Sequence, residues 1–206
     1  MYLSIHPENP EPRKIKQAVE IIRSGGLVIF PTDTIYAIGC DINQLRSIER
    51  LCKVMGKKPE KANLSLICAD LSDLSAYSAP INSTVFKLMK ASLPGPYTFI
   101  LKSSRLVPKL FQTNKKTVGI RVPDNAIAQA LIKELGSPLV SASVHSEDEI
   151  LDYLTEPEEI YDQYQSQIDL MIEGGTGDNQ PSTIIDCTEG EAVLVREGKG
   201  TVDLID

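Results

Sequence analysis

Short apolar runs alternate along this chain with segments that have the spacing of an amphipathic helix. The first helical segment, residues 13–24, places Ile15, Val19 and Ile22 on one side and ends at Gly25-Gly26. The other predicted helices are 44–55, 83–91, 125–135 and 155–165. The predicted strands are 27–30, 64–68, 98–101, 117–122, 139–143, 168–172, 183–186 and 192–195. Strands that alternate with helices are typical of an α/β fold, so we predict one α/β domain.

The start of the last helix carries its own signal. Thr155 precedes Glu158 by three residues, which is the spacing of a capping box. We therefore expect Thr155 to cap this helix.

Polar side chains follow the strand at 27–30. Pro31 ends the apolar run, and Thr32, Asp33 and Thr34 come directly after it. Such residues can hold a small polar ligand at a strand end, or they can form a turn that satisfies its own backbone. This stretch alone leaves both interpretations open.

Further polar residues lie at the other predicted strand ends. They are Arg121, Ser141, Ser143, Ser182 and Arg196. Open α/β sheets bind ligands beyond their strand ends, and arginine with hydroxyl groups suits phosphate or carboxylate oxygens. The chain has neither GxGxxG nor GxxxxGK[ST], which excludes the usual Rossmann and P-loop nucleotide sites.

Composition narrows the class of protein. No run of about 18 apolar residues is present and the N-terminus lacks the pattern of a signal peptide, so we expect a cytoplasmic protein. Four widely spaced cysteines favour reduced thiols over a zinc site.

The net charge of −7 disfavours binding of nucleic acid over the whole surface. Four lysines between Lys53 and Lys61 form a local basic patch, either a solvated face or a functional loop, whereas the acidic run 147–162 is expected to be a solvated face.

Four motifs, in this order, resemble those of the YrdC/YciO family, to which the threonylcarbamoyl-AMP synthases belong. They are PTDTIYAIG (31–39), PGPYT (94–98), TVGIRVP (117–123), and PSTIID (181–186) followed by REG (196–198). The strings NLSLIC (63–68), DLS (70–72) and EPEEI (156–160) are more similar to the YciO branch. The resemblance covers about residues 12–200, which implies one YrdC-like domain after a polar segment, 1–11.

The resemblance implies a twisted open mixed sheet around a basic concave cavity. It also implies binding of ATP with Mg²⁺, L-threonine and bicarbonate, and their conversion to threonylcarbamoyl-AMP and pyrophosphate for modification of a tRNA adenosine. An alternative function from the same resemblance is non-catalytic binding of tRNA or double-stranded RNA.

Site residues follow from the resemblance position by position. The residues implied to bind threonine are Thr34, Arg121 (for its carboxylate), Ser141 and Ser182. Those implied to bind ATP are Lys57, Lys58, Thr117, Ser143 and Arg196. No side chain is assigned as a nucleophile or a resident metal ligand, since attack of a carbamate on the α-phosphoryl group requires mainly positioning and charge neutralisation.

Three positions depart from the family pattern. Lys58 stands where the family has an arginine after a leading lysine, Ser143 replaces an asparagine, and Cys68 replaces a histidine. A lysine is a point charge and lacks the two-pronged geometry of arginine. The expected outcome is retained ligand binding with weak or conditional synthase activity.

Arg121 gives the sharpest expectation. Its neighbours Val118, Ile120 and Val122 are apolar, so its charged group must find an anion. That anion is either the carboxylate of a ligand, which we expect, or a carboxylate of the chain itself. In the first case the arginine has no internal partner, and its replacement leaves folding almost unchanged.

Overall fold

The computed structural model describes residues 1–58, 62, 64–109, 116–145 and 153–203. The described residues form six helices: α1 (Pro12–Arg23), α2 (Leu45–Val54), α3 (Leu71–Tyr77), α4 (Ser83–Ser92), α5 (Ala126–Leu135) and α6 (Pro157–Tyr164). They form ten strands: β1 (Tyr2–Ser4), β2 (Val28–Phe30), β3 (Ala37–Asp41), β4 (Ser65–Ile67), β5 (Tyr97–Lys102), β6 (Thr117–Arg121), β7 (Leu139–Ser143), β8 (Leu170–Glu173), β9 (Thr183–Asp186) and β10 (Val193–Arg196). Among these residues no helix is long and apolar enough to cross a bilayer.

All ten described strands belong to one open mixed sheet in the order β1-β8-β2-β3-β7-β4-β6-β5-β9-β10. The pairs β1–β8, β2–β8, β4–β6 and β5–β9 are parallel, and the others are antiparallel. The predicted α/β class with an open mixed sheet is confirmed.

The two faces of the sheet differ in composition. One face carries the larger core, to which β6 contributes Val118 and Ile120 and β7 contributes Val140 and Ala142. The other face carries a smaller core, in which α1 and α5 pack over β8 and β2. Away from those two helices, the second face bears short polar side chains, and it is there that the candidate site lies.

The structure adds three elements that the sequence pattern does not predict, namely β1, β3 and α3. Strand β1 lies within the polar segment 1–11 and pairs in parallel with β8. Strand β3 is buried at all five positions, so it lacks the alternation that marks a half-exposed strand. Helix α3 has seven residues and only Leu74 buried, too short a segment to show a helical period.

The predicted capping box is wrong. The residue that precedes the first turn of α6 is Glu156, not Thr155, and its side chain makes no capping hydrogen bond. Pro157 takes the first helical position, which suits a residue without an N–H because that donor has no partner inside a helix.

Candidate functional site

A row of small residues crosses the middle of the second face. Ser141 of β7 pairs with Gly39 of β3 and with Ser65 of β4, and Ser65 also pairs with Gly119 of β6. Residues that are opposite each other in register share a face of the sheet. Ser65 and Gly119 are only half-buried, and a Cβ at Gly119 would lie 3.0 Å from the Ser65 hydroxyl. The small side chains of this row keep bulky groups off this part of the sheet face, which is what a ligand lying on it would require.

Arg121 lies on this face at the end of β6, and its Nη2 has two internal partners. Nη2 donates to Asp33 Oδ1 at 2.8 Å and to Thr34 Oγ1 at 2.9 Å. The expectation that Arg121 lacks an internal partner is therefore wrong. The cause lies in the polar loop after β2, because the loop brings a carboxylate and a hydroxyl to the same guanidinium.

One nitrogen of Arg121 is nevertheless left over. Among the described residues, the buried Nε of Arg121 has no hydrogen-bond partner. Burial lowers the pKa of the guanidinium, Asp33 acts in the opposite direction, and the charge of Arg196 lowers the pKa further. A buried N–H without an acceptor is costly, so it marks a place where a ligand oxygen would be stabilised.

The loop that follows β2 forms a turn beside the Arg121 guanidinium. Thr32 Oγ1 accepts the Thr34 N–H at 3.1 Å and donates to the Ile35 carbonyl at 2.7 Å. This is a side-chain turn that satisfies its own backbone. The turn interpretation is confirmed, and the same turn directs Thr34 and Asp33 to Arg121. Binding of a ligand by this stretch stays a prediction.

Two chain segments fix the loop from outside. Lys199 Nζ donates to the Asp33 carbonyl at 2.7 Å and lies 2.8 Å from Asp178 Oδ2. The Asp178 N–H donates to the Thr34 carbonyl at 3.1 Å. Burial acts to raise the pKa of Asp178, but its hydrogen bonds from Lys199 and the Gln180 N–H outweigh burial, and its pKa lies below the ordinary value.

Arg196, at the end of β10, provides a second guanidinium. Its Nη2 donates to the Ser182 carbonyl at 2.8 Å, and within the described part of the chain its buried Nε has no partner. The Ser182 hydroxyl lies 2.7 Å from that of Thr98. Two arginines, each with a buried N–H that has no acceptor in the described part of the chain, favour an anionic ligand.

The structure brings most of the predicted site residues onto one face. Thr34 is hydrogen-bonded to Arg121, and Ser182 to Arg196. Ser141 Oγ donates to the Ser65 carbonyl at 3.3 Å. Ser143 and Thr117 are half-buried and alternate along β7 and β6 with residues of the larger core. Ser141, Ser143 and Thr117 lie within β7 and β6, so the candidate site extends onto the sheet face as well as beyond the strand ends.

The two predicted lysines, Lys57 and Lys58, show no hydrogen bond or ion pair with the other candidate site residues in the described part of the chain. Lys57 and Lys58 are exposed just after α2, and no contact within the described ranges joins either to the two arginines. Pro59, Lys61 and Asn63 of this loop lie outside the described residues, as does the part of the acidic run at 147–152. Cys68 is buried in the larger core, on the face opposite the arginines.

Sequence reasoning missed several residues of the site. Asp33 was visible in the polar stretch, but nothing in the pattern predicts its ion pair with Arg121. The row of small residues Gly39, Ser141, Ser65 and Gly119 forms the floor of the candidate site. Ser65 and Gly119 lie at strand positions that alternate with apolar residues, a signal that could have identified this floor. Lys199 and Asp178 carry no such signal, because their contacts are long-range.

A cavity of about 380 Å³ adjoins this network. It is lined by Asp33, Lys199, Asp124 and the turn 94–97, together with two residues of α4. Asp33 therefore lies between this cavity and Arg121. Within the described residues there is no cluster of three or more His, Cys, Asp or Glu side chains that could hold a metal ion.

Comparison with known proteins gives consistent matches over nearly the whole chain. The family model Sua5_yciO_yrdC, described as telomere recombination, matches residues 20–198. The YciO protein of Escherichia coli K12 is 46% identical over 98% of this chain and 97% of its own. The crystal structure of E. coli YciO superposes with a TM-score of 0.93, at 44% identity, covering 100% of this chain and 99% of that one.

Two further relatives carry functional names. The threonylcarbamoyl-AMP synthase of Vibrio vulnificus YJ016 is 32% identical over 89% of this chain and 98% of its own. P. abyssi Sua5, crystallised as a complex with L-threonine, superposes with a TM-score of 0.87 at 28% identity. That match covers 96% of this chain but 57% of the Sua5 chain.

Proposed function

The chain belongs to the Sua5–YciO–YrdC family, and we propose that it binds L-threonine and ATP and forms threonylcarbamoyl-AMP, weakly or conditionally, for tRNA modification. The observation that carries this proposal is the pair of buried Nε–H groups on Arg121 and Arg196 beside a floor of small residues. Carboxylate and phosphate oxygens are the acceptors that such groups bind best.

The threonine subsite is assigned to Thr34, Arg121, Ser141 and Ser182. Arg121 Nε would receive the carboxylate, because Nη2 is already held by Asp33 and Thr34. The nearby hydroxyls would fix the amino acid for reaction. Support comes from the Sua5 complex with L-threonine, whose fold this chain shares.

The ATP subsite is assigned to Thr117, Ser143 and Arg196, with Lys57 and Lys58 beside the phosphates. ATP would enter as its Mg²⁺ complex, since Mg²⁺ usually takes many of its ligands from substrate phosphates and water. Threonine and bicarbonate would form a carbamate with loss of water. One carbamate oxygen would then attack the α-phosphorus as pyrophosphate leaves.

This chain would contribute to that reaction by positioning and by charge. Arg196 would stabilise negative charge on the phosphoryl oxygens, and the polar floor would orient the carbamate. Activity is expected to be weak because Lys58 is an exposed point charge where the family has an arginine, and Ser143 lacks the amide of asparagine.

The direct test is release of pyrophosphate from ATP, measured with threonine and bicarbonate present together and with each omitted. Release that requires both supports the synthase. ATP binding without any threonine-dependent release would rule the synthase out for this chain.

The RNA-binding alternative stays a prediction and is separated by a salt titration. Binding to an RNA backbone weakens steeply as salt increases, because counterions are released. Threonine-dependent binding of ATP on the sheet face should weaken much less.

A further inference from the structure

We propose that Asp33 sets the anion selectivity of the Arg121 site, so that it accepts a singly charged carboxylate and rejects a doubly charged phosphate or phosphonate. This inference rests on the proposed function, because it takes Arg121 as the residue that binds the anionic group of the ligand.

The first step is that Asp33 is a fixed negative charge. Its side chain is only 8% exposed, as is that of Arg121. Oδ1 accepts from Arg121 Nη2 at 2.8 Å, and Oδ2 accepts the Asp124 N–H at 3.1 Å. Lys199 holds the carbonyl of the same residue. With both oxygens and its backbone held, the carboxylate cannot easily turn away from an arriving anion.

The second step is that Nε offers a buried N–H to a ligand, on a guanidinium that Asp33 already contacts. Nη2 is shared by Asp33 and Thr34, and Nε is the buried atom left without an acceptor among the described residues. An anion bound at Nε shares the guanidinium with the Asp33 carboxylate. The two negative groups are therefore held close together in a poorly solvated place, where repulsion is strong.

The third step is a count of charge. Arg121 and Asp33 cancel, and Lys199 and Asp178 form a second pair that cancels. Arg196 remains as one positive charge that acts on Arg121, and the Asp124 side chain is exposed. A monoanion neutralises this local excess, whereas a dianion leaves an uncompensated negative charge beside Asp33.

The test is a titration with inorganic phosphate, followed by NMR at the Nε–H of Arg121, which is assigned by its absence in Arg121→Lys. It uses the wild type, Asp33→Asn, and Asp124→Asn as the matched control. Asp124→Asn removes the same charge from an exposed neighbour that does not contact Arg121 through its side chain. Each protein is titrated below and above the second ionisation of phosphate, and with acetate as an anion whose charge stays constant.

We expect the wild type and Asp124→Asn to lose affinity for phosphate as it becomes a dianion, while their affinity for acetate changes little. Asp33→Asn should bind the dianion at least about tenfold more tightly than the wild type. Equal phosphate affinity in all three proteins at both pH values, or no response at the Nε–H in any of them, would overturn the inference. If Asp33→Asn does not fold, the pH dependence of the wild type decides alone.

A threonine titration on the same samples separates the two proposals. If the wild type does not bind threonine but Asp33→Asn binds phosphate more tightly, the proposed threonine site is wrong and the proposed role of Asp33 in anion selectivity is supported. If the wild type binds threonine but Asp33→Asn shows no gain in phosphate affinity, the threonine site is supported and the role of Asp33 is rejected.

Discussion

The hydroxyl oxygens of Thr98 and Ser182 lie 2.7 Å apart and join β5 to the residue that precedes β9. Both residues are buried, at 6% and 4% exposure. Arg196 donates to the carbonyl of the same Ser182. The pair of hydroxyls thus fixes the backbone that holds the second arginine of the candidate site.

Removal of either hydroxyl should destabilise the protein. Ser182→Ala and Thr98→Val each leave one buried hydroxyl without this partner, so we expect each to lower the free energy of unfolding by about 1–3 kcal/mol. The double variant should lose less than the sum, since the second change removes a group already unpaired. Urea unfolding of the four proteins measures the coupling, and strict additivity would show that the contact is not formed.

Arg121→Lys should affect both folding and binding. A lysine keeps the charge but lacks the planar guanidinium that can contact Asp33, Thr34 and a ligand at the same time. We therefore expect the free energy of unfolding and the free energy of threonine binding each to weaken by about 1–3 kcal/mol. Thermal unfolding and calorimetry on one sample measure the two losses. Arg13→Lys, an exposed position on α1, is the control and should change neither. A stability loss with normal threonine binding would show that Arg121 has a structural role alone.

Ser65→Leu should block the site and leave the fold intact. Ser65 is half-buried in the row of small residues, and a leucine side chain there would extend over its register partners Gly119 and Ser141. We expect ligand affinity to fall at least about tenfold, with little change in melting temperature because Ser65 is only half-buried. Ser72→Leu, exposed on α3, should leave affinity unchanged. Normal affinity in Ser65→Leu would place the ligand elsewhere.

The cysteines should be unreactive until the protein unfolds. All four are free and buried, and burial, with the nearby Asp41, raises the pKa of Cys40 to about 12. Burial likewise raises the pKa of Cys187 to about 11. A disulfide reagent at pH 8 should therefore react only after denaturation. Rapid reaction of a native thiol would contradict this burial.

The raised pKa values of these thiols also predict how stability depends on pH. Unfolded thiols ionise at about pH 8.5, so above that pH the unfolded state binds fewer protons than the folded state. The free energy of unfolding should therefore decrease as the pH rises further.

Much of the fold was open to prediction from the sequence because its signals are local. The helical period of residues 13–24 and the apolar runs at 27–30, 117–122 and 139–143 arise from side chains near one another in the chain. They predict the α/β class correctly. The sequence does not predict β3 or α3, because the buried strand lacks a two-residue alternation and the helix is too short to show a helical period.

The sequence by itself also determined which residue types are available to the site: hydroxyls, two arginines and few carboxylates at strand positions. Only the tertiary structure decided how they pair. Asp33 and Arg121 are 88 residues apart, and Thr98 and Ser182 are 84 apart, so no local pattern links them. Their contacts depend on strand order and register, which are set by packing of the whole sheet. That packing leaves the Nε–H groups of Arg121 and Arg196 buried without an acceptor among the described residues.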